Sequence, residues 1–411
     1  MLPADVRVRP YPYPYRAMLA VCSDLDETPN WEAYWEIMRF LNTVEMTAMG
    51  PGVGLEVANS VYFHEASGQF SYWGTDHAGR DMVRVLIRSG HIDCLHSYGL
   101  LARTRAEAAR ALDELDRHGC RLRVWVDHAS GPTNFGPDIM RGHGDEVGHP
   151  AYHADLTIPF GIRYVWLGRV TSVVGQDRPW CLGGIARGCH PVASARTLGK
   201  EVGKHLFGRC GSPKYAMHAS NRLLRPKRLR DGRAVLEFMR SNPHWAGVNA
   251  CTTAGGIGEV LTDEMLSRLV QCQGVCILYT HLGKVSDPAM PLGPSAQQAF
   301  RTLAARQHQG EILVTTTQRL LQYRSARDAL QIDAHCCGGA LTITIGRVAD
   351  PVCGTYDLTP DRLSGLTFVT RLSRHAEVRT SSGLRLPCSV RTLGDETIIS
   401  LPWEPLVFPE L

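Results

Sequence analysis

Apolar and polar positions alternate along the chain in a repeating strand-then-helix rhythm. Ala17-Met-Leu-Ala-Val-Cys22 is an uninterrupted apolar run and predicts a buried strand that ends at Ser23-Asp24-Leu25-Asp26. A helix is expected over 31–43, a strand over 57–65, a helix over 76–89 and a strand over 91–95. The segment 104–118 opens on Thr104 and spaces its apolar residues as one helical face does, so it predicts a capped helix. Strands follow at 122–126 and 163–167, and 230–241 reads as a helix ending before Asn242-Pro243. A helix at 263–271, a strand at 274–279, a helix at 295–309, a strand at 312–315 and a helix at 317–325 complete the series. Strands separated by helices imply a parallel sheet. The fold class expected is therefore α/β, a (β/α) barrel over residues 1–337. After Gly338 the rhythm changes to short strands at 341–345, 366–370, 376–380 and 397–401 with turn residues between them, which predicts a small antiparallel β module over 338–411.

Composition adds limits. The chain has 411 residues, a formal charge of +4 and 44% hydrophobic residues, enough for one large unit and a small one. No apolar run is long enough for a membrane span, and the first residues lack the basic-then-apolar pattern of a secretory signal. Thirteen cysteines, an odd number, with Cys22, Cys276 and Cys353 in strand-like runs, point to reduced thiols and a cytoplasmic setting. Cys272 with Cys276 and the adjacent Cys336-Cys337 lack the spacing of a zinc site. The basic run from Arg222 to Arg230 is read as a solvated loop followed by a helix start, and nucleic acid is not expected as a partner.

Polar residues capable of chemistry recur just after the strands, where the ends of a parallel barrel converge. Asp24 and Asp26 flank Leu25, and residues two apart in extended chain face the same way. His96 leaves one strand, His128 follows another, and His281 closes a third. His91 enters its strand at the opposite end and is read as structural. His149 and His153, with His143 and Glu146 nearby, form a rival group whose helical spacing is interrupted by Pro150. Trp125, Trp166, Trp180 and Trp245 are candidate sugar-facing aromatics, and Asn134, Arg163, Asn221 and Arg222 are candidate contacts to sugar hydroxyls or carboxylates. Gly255-Gly256-Ile257-Gly258 does not make a dinucleotide fingerprint, and no Gly-x-Ser-x-Gly elbow is present.

In order and spacing these segments resemble the polysaccharide deacetylases of carbohydrate esterase family 4, over roughly residues 15–330. Asp24 and Asp26 match that family's opening aspartate pair. Gly90-His91-Ile92-Asp93-Cys94-Leu95-His96-Ser97 matches its His-containing second motif, and Ile277 to His281 its closing strand and histidine. The stretch from Trp125 to Asn134 takes the place of its Arg/Trp/Pro motif. Two positions depart: Leu25 separates the aspartates, and Leu100 stands where the family has a second ligand histidine. The resemblance implies a distorted barrel and a hydrolase that removes acyl groups from a sugar or glycan precursor in surface-polysaccharide assembly. Asp24 would be the base, His281 the acid, and Asp26 and His96 ligands to one divalent ion of the zinc type. His128 is the expected replacement for the missing ligand. A metal-independent glycosidase using Asp24 and a second carboxylate, and a catalytically silent sugar-binding protein, are the alternatives.

Overall fold

The computed structural model describes residues 6–24, 28–180, 191–352 and 354–411. Its centre is a curled sheet built around the strand Ala17–Ser23, every residue of which is buried. That strand pairs in parallel with Val275–Thr280 on one side, and with Ala58–Val61 and Ile312–Val314 on the other. From Ala58–Val61 the parallel pairing continues through Ile92–His96 and Val124–Val126 to Tyr164–Trp166. On the far side Val275–Thr280 pairs with Arg240–Ser241, which in turn pairs with Val170–Thr171.

Alternation along the strands explains the layers. Leu19, Val21, Leu95, Trp125, Val165 and Leu278 face the helices and join Ile37, Phe40, Met82, Leu86 and Leu112 in one core. Met18, Cys22, Cys94, Val126, Trp166 and Ile277 face the other way and pack with C-terminal residues Leu341, Ile343 and Val378. The helices begin where short polar side chains accept from their first turn. Asn30 caps Trp31–Asn42, Asp76 caps His77–Arg88, and Thr104 with Glu107 forms a capping box on Arg105–Arg117. Helices Asp263–Gln271, Pro294–His308 and Thr317–Ala329 lie where the sequence places them. A further helix, Pro191–Arg209, was not anticipated. No helix among the described residues is long and apolar enough to cross a membrane.

One expected element has the wrong type. The helix read over 230–241 is instead part of an antiparallel hairpin, Leu224–Arg228 with Ala234–Phe238. Asp231-Gly232 makes its turn, with Gly232 at φ +89°, a conformation that favours glycine. Val235, Leu236 and Phe238 are buried, and so is Glu237 between them. The buried carboxylate is matched by cations on both sides: Arg225 Nε lies 2.7 Å from its Oε2 and Arg169 Nε 3.2 Å from its Oε1.

The C-terminal strands form two sheets. Thr367–Thr370, Glu396–Ser400 and Ser389–Leu393 are antiparallel, and the N-terminal strand Val6–Val8 joins their edge. In the other sheet Leu330–Cys337 and Ala340–Asp350 form a hairpin that crosses the expected boundary at residue 337. Ala340–Asp350 pairs in parallel with His375–Thr380, so the module is not wholly antiparallel as expected.

Candidate active site

Five chemistry-bearing residues share one face of the sheet by simple alternation. Cys22, Cys94, Val126, Phe238 and Tyr279 point to the C-terminal-module side. Two residues further along each segment come Asp24, His96, His128, Arg240 and His281. Because these strands are parallel, all five emerge at the same end.

Asp24 is the hub. Its backbone N–H donates to Thr280 O at 3.0 Å, and Ser23 Oγ accepts from Leu282 N at 2.9 Å, which locks the end of Ala17–Ser23 to that of Val275–Thr280. The Asp24 carboxylate is 3% exposed. Arg240, buried in full, reaches it at 3.1, 3.4 and 3.5 Å. His96 Nε2 lies 3.1 Å from Oδ1, His281 Nε2 lies 3.6 Å from Oδ2, and Ser60 Oγ donates to Oδ1 at 3.4 Å. Burial works against ionisation of Asp24, but Arg240, followed by His96 and His281, outweighs it and holds the carboxyl well below the usual range. The Arg240 guanidinium sits 4.2 Å from the centre of the Trp166 ring, which supports it from behind.

Burial also sets the charge of His96, lowering its pKa to about 4 against the pull of Asp24. Near neutral pH the ring is therefore uncharged. Since Asp24 is an acceptor only, Nε2 carries the proton and Nδ1 the lone pair. That Nδ1 is buried and makes no hydrogen bond. Tyr62 stacks on His96 with ring centres 4.4 Å apart, and His128 meets its edge at 4.8 Å. Ser97, at φ +56°, turns the chain away immediately after the strand.

Glu65, like Arg240, is a residue that the sequence did not single out. Its side chain is 1% exposed, and its Oε1 lies 3.5 Å from His128 Nδ1. The same oxygen accepts from the backbone N–H of Leu100 at 2.6 Å. Leu100, where the resembled family has its second histidine, therefore contributes a main-chain donor and leaves its side chain 39% exposed. Glu65 Oε2 is buried with no hydrogen bond. A buried imidazole nitrogen and a buried carboxylate oxygen thus remain available beside His128, and such N and O donors suit a zinc-type cation. Asp26 lies outside the described residues. The donors of Asp24, Glu65, His96 and His128 do not draw into a tight group of three. Among the described residues that closeness occurs elsewhere, at His244, Cys251 and Glu259.

The other candidates take different places. Asn134 is fully buried and serves His128: its Oδ1 accepts from His128 N and its Nδ2 donates to His128 O, both at 2.9 Å. Asp127 Oδ1 accepts from Trp125 Nε1 at 2.7 Å and Phe135 N at 2.9 Å, fixing the same loop. Arg163 precedes its strand, at the end opposite the site, and pairs with Asp350 and Tyr356. Asn221 closes a short helix at φ +48° and donates to Gly175 O and Arg178 O, each at 3.0 Å, while Arg222 is exposed. Trp125 and Trp166 are core residues. Trp180 stacks on His205, and Trp245 lies tilted against His244 with ring centres 4.8 Å apart. His91 is buried against Phe408, as its strand-entrance position implies. His153 is buried between Thr157 Oγ1 and Thr133 O, both at 2.8 Å, while His143 pairs with Glu146 at 2.8 Å and stacks on His149 at 4.1 Å, so the rival group divides. The basic run forms an edge strand rather than a solvated loop. Cys22 and Cys276 are buried free thiols, and Cys353 lies outside the described residues.

Compared with protein-family models, characterised proteins and solved structures, the chain finds no match in any of the three.

Proposed function

We propose that the chain is a hydrolase that removes an acyl group, acetyl in the simplest case, from a sugar or glycan precursor, on a distorted barrel of the polysaccharide-deacetylase type. The observation that carries this reading is the convergence on Asp24. The histidines of the second and last motifs, His96 and His281, meet the carboxylate of the first motif at 3.1 and 3.6 Å from strand ends far apart in sequence. Pairing supports the barrel. Tyr164–Trp166 pairs in parallel with Ala234–Phe238, and Val170–Thr171 with Arg240–Ser241, which pairs in turn with Val275–Thr280, as a barrel of this type requires.

The chain's own residues divide the work by their surroundings. Asp24, kept ionised by Arg240, accepts the proton of the attacking water. His96 donates to Asp24 and orients it. His281 is the most accessible of the three, with 15% of its side chain exposed, and so faces the leaving group and supplies its proton. Held by Asp26, His96 and His128, a divalent ion of the zinc type would acidify water and polarise the acyl carbonyl, with Glu65 beside His128. Glu65 also favours a second reading, a metal-independent glycosidase, because it provides a second buried carboxylate beside the site histidines.

Acyl release from N-acetylated sugars and from an activated aryl ester, measured with and without chelator, tests the proposal. Chelation should abolish release and zinc should restore it. His281→Ala should lose about 10²–10⁴-fold on the amide and much less on the ester, whose leaving group needs little protonation. Full release after exhaustive chelation, or glycosidic cleavage in its place, would overturn the proposal.

A further inference from the structure

The loop that follows Arg240–Ser241 gathers a second group of side chains. Asn242 Nδ2 donates to Val248 O at 3.0 Å and Ala250 O at 2.8 Å, which closes the loop on itself. Cys251 then adopts φ +53°, and the turn Ile257–Val260 carries Glu259 back over it. As a result a ring nitrogen of His244, the sulfur of Cys251 and a carboxylate oxygen of Glu259 all lie within 4.8 Å of one another. His244 is 3% exposed, and its Nε2 is buried without a hydrogen bond. That nitrogen faces Glu259 Oε2 at 3.4 Å. The Glu259 side chain is 64% exposed, so the group opens to solvent on one side.

Nitrogen, sulfur and oxygen at this closeness form a donor set that zinc-type ions take. Metal–ligand bonds of about 2.0–2.3 Å in a tetrahedron put donors roughly 3.3–3.8 Å apart. The His244–Glu259 separation already falls in that range. We propose that His244, Cys251 and Glu259 bind a divalent cation of the zinc type, at a site separate from the Asp24 cluster. Ala246 N–H lies 3.1 Å from His244 Nδ1, which leaves the ring proton on Nε2. The cation replaces that proton and the thiol proton of Cys251. The Ala246 bond is given up as the ring takes its proton on Nδ1, so uptake releases the thiol proton to solvent and weakens in acid. The site is next to the hydrolytic centre through the backbone. Thr252 O accepts from His281 N at 2.5 Å and from Thr280 Oγ1 at 2.8 Å. A cation on Cys251 therefore stiffens the segment that seats His281.

Chelator-stripped full-length protein titrated with Co²⁺ tests the assignment, because a cysteine ligand gives a thiolate-to-cobalt charge-transfer band in the near ultraviolet. The Asp24 cluster's proposed ligands include no thiol, so the band does not report that cluster, and its failure leaves the hydrolase reading standing. The band should reach its limit with one cobalt bound at this site, by about two added equivalents when the Asp24 cluster also fills, and vanish in Cys251→Ser. Glu259→Gln, an exposed change that leaves the fold intact, should retain the band with affinity lower by at least about tenfold. Cobalt uptake with no thiolate band would overturn the assignment. So would a band that persists in Cys251→Ser, which would place it on another cysteine.

Discussion

Replacing Arg240 by Met tests the electrostatic core of the site. The guanidinium is fully buried, touches both Asp24 oxygens at 3.1–3.5 Å, and stacks on Trp166. Methionine retains much of the apolar contact with Trp166 but removes the permanent cation from a carboxylate that is 3% exposed. His96 still donates at 3.1 Å, yet it is neutral near pH 7 because burial lowers its pKa to about 4. Stranding one member of a buried pair costs about 3–5 kcal/mol. That is a large share of the roughly 5–15 kcal/mol that stabilises a typical fold. The pH dependence carries a sign. In the native protein Asp24 ionises more readily folded than unfolded, so its contribution is present above the unfolded value of 3.8 and lost as pH falls below it. Without Arg240 the burial effect dominates, the folded-state value moves up, and the contribution is lost as pH rises instead. The gap between native and Arg240→Met should therefore widen from about pH 4 to pH 7. Asp24→Asn alone strands Arg240 and should cost a similar amount, whereas the double variant should recover about 3 kcal/mol of the summed loss. Urea unfolding followed by tryptophan fluorescence at several pH values measures all three. Additivity within about 0.5 kcal/mol, or a gap that does not change with pH, would refute the pairing as the reason the site holds together.

Two further outcomes are expected. Burial raises the Asp127 pKa to about 7, so its stabilising contribution is present below 3.8 and lost as pH climbs toward 7. Asp127→Asn keeps the acceptor for Trp125 and Phe135 and removes that loss; native protein should fall behind it by up to roughly 4 kcal/mol between about pH 4 and 7, read from urea midpoints, and parallel curves would contradict this. Glu65→Gln retains an acceptor for Leu100 N–H but removes the charge beside His128. If Glu65 supports the proposed metal site, zinc affinity measured in a Cys251→Ser background, which removes the second proposed site, should drop about 10–100-fold, and unchanged affinity would reduce Glu65 to a loop anchor.

The strands and most of the helices were legible because their causes are local. Uninterrupted apolar runs made buried parallel strands, and Asn30, Asp76 and Thr104 marked helix starts. The strand-end rule also located Asp24, His96, His128 and His281, since parallel pairing and alternation bring them to one face and one end. The same rule, applied strictly, removes Arg163, which stands before its strand and meets Asp350 at the other end. Asn134 failed differently. A polar residue in a loop of site histidines looks like a ligand contact, but one that is fully buried spends its hydrogen bonds on the backbone that places His128.

Arg240 is the instructive miss. A carboxylate buried as deeply as Asp24 requires a cation near it, so the charge of the first motif alone demands a partner from another strand. The chain contains one at the right alternation, two residues past Phe238, but only if 234–241 is extended. Read as a helix, that segment spreads Phe238 and Arg240 over different faces and hides the pair. The signal that settles the matter is Asp231-Gly232, a dipeptide that turns two strands and has no place near a helix start that needs it. Once the turn is recognised, Val235 and Phe238 become strand residues packed in the sheet and Glu237 acquires Arg225 and Arg169. Arg240 then falls opposite Asp24 with no further assumption. The buried charges of this protein are thus coupled constraints: assigning the secondary structure of one segment decides whether the ionised aspartate of another can exist.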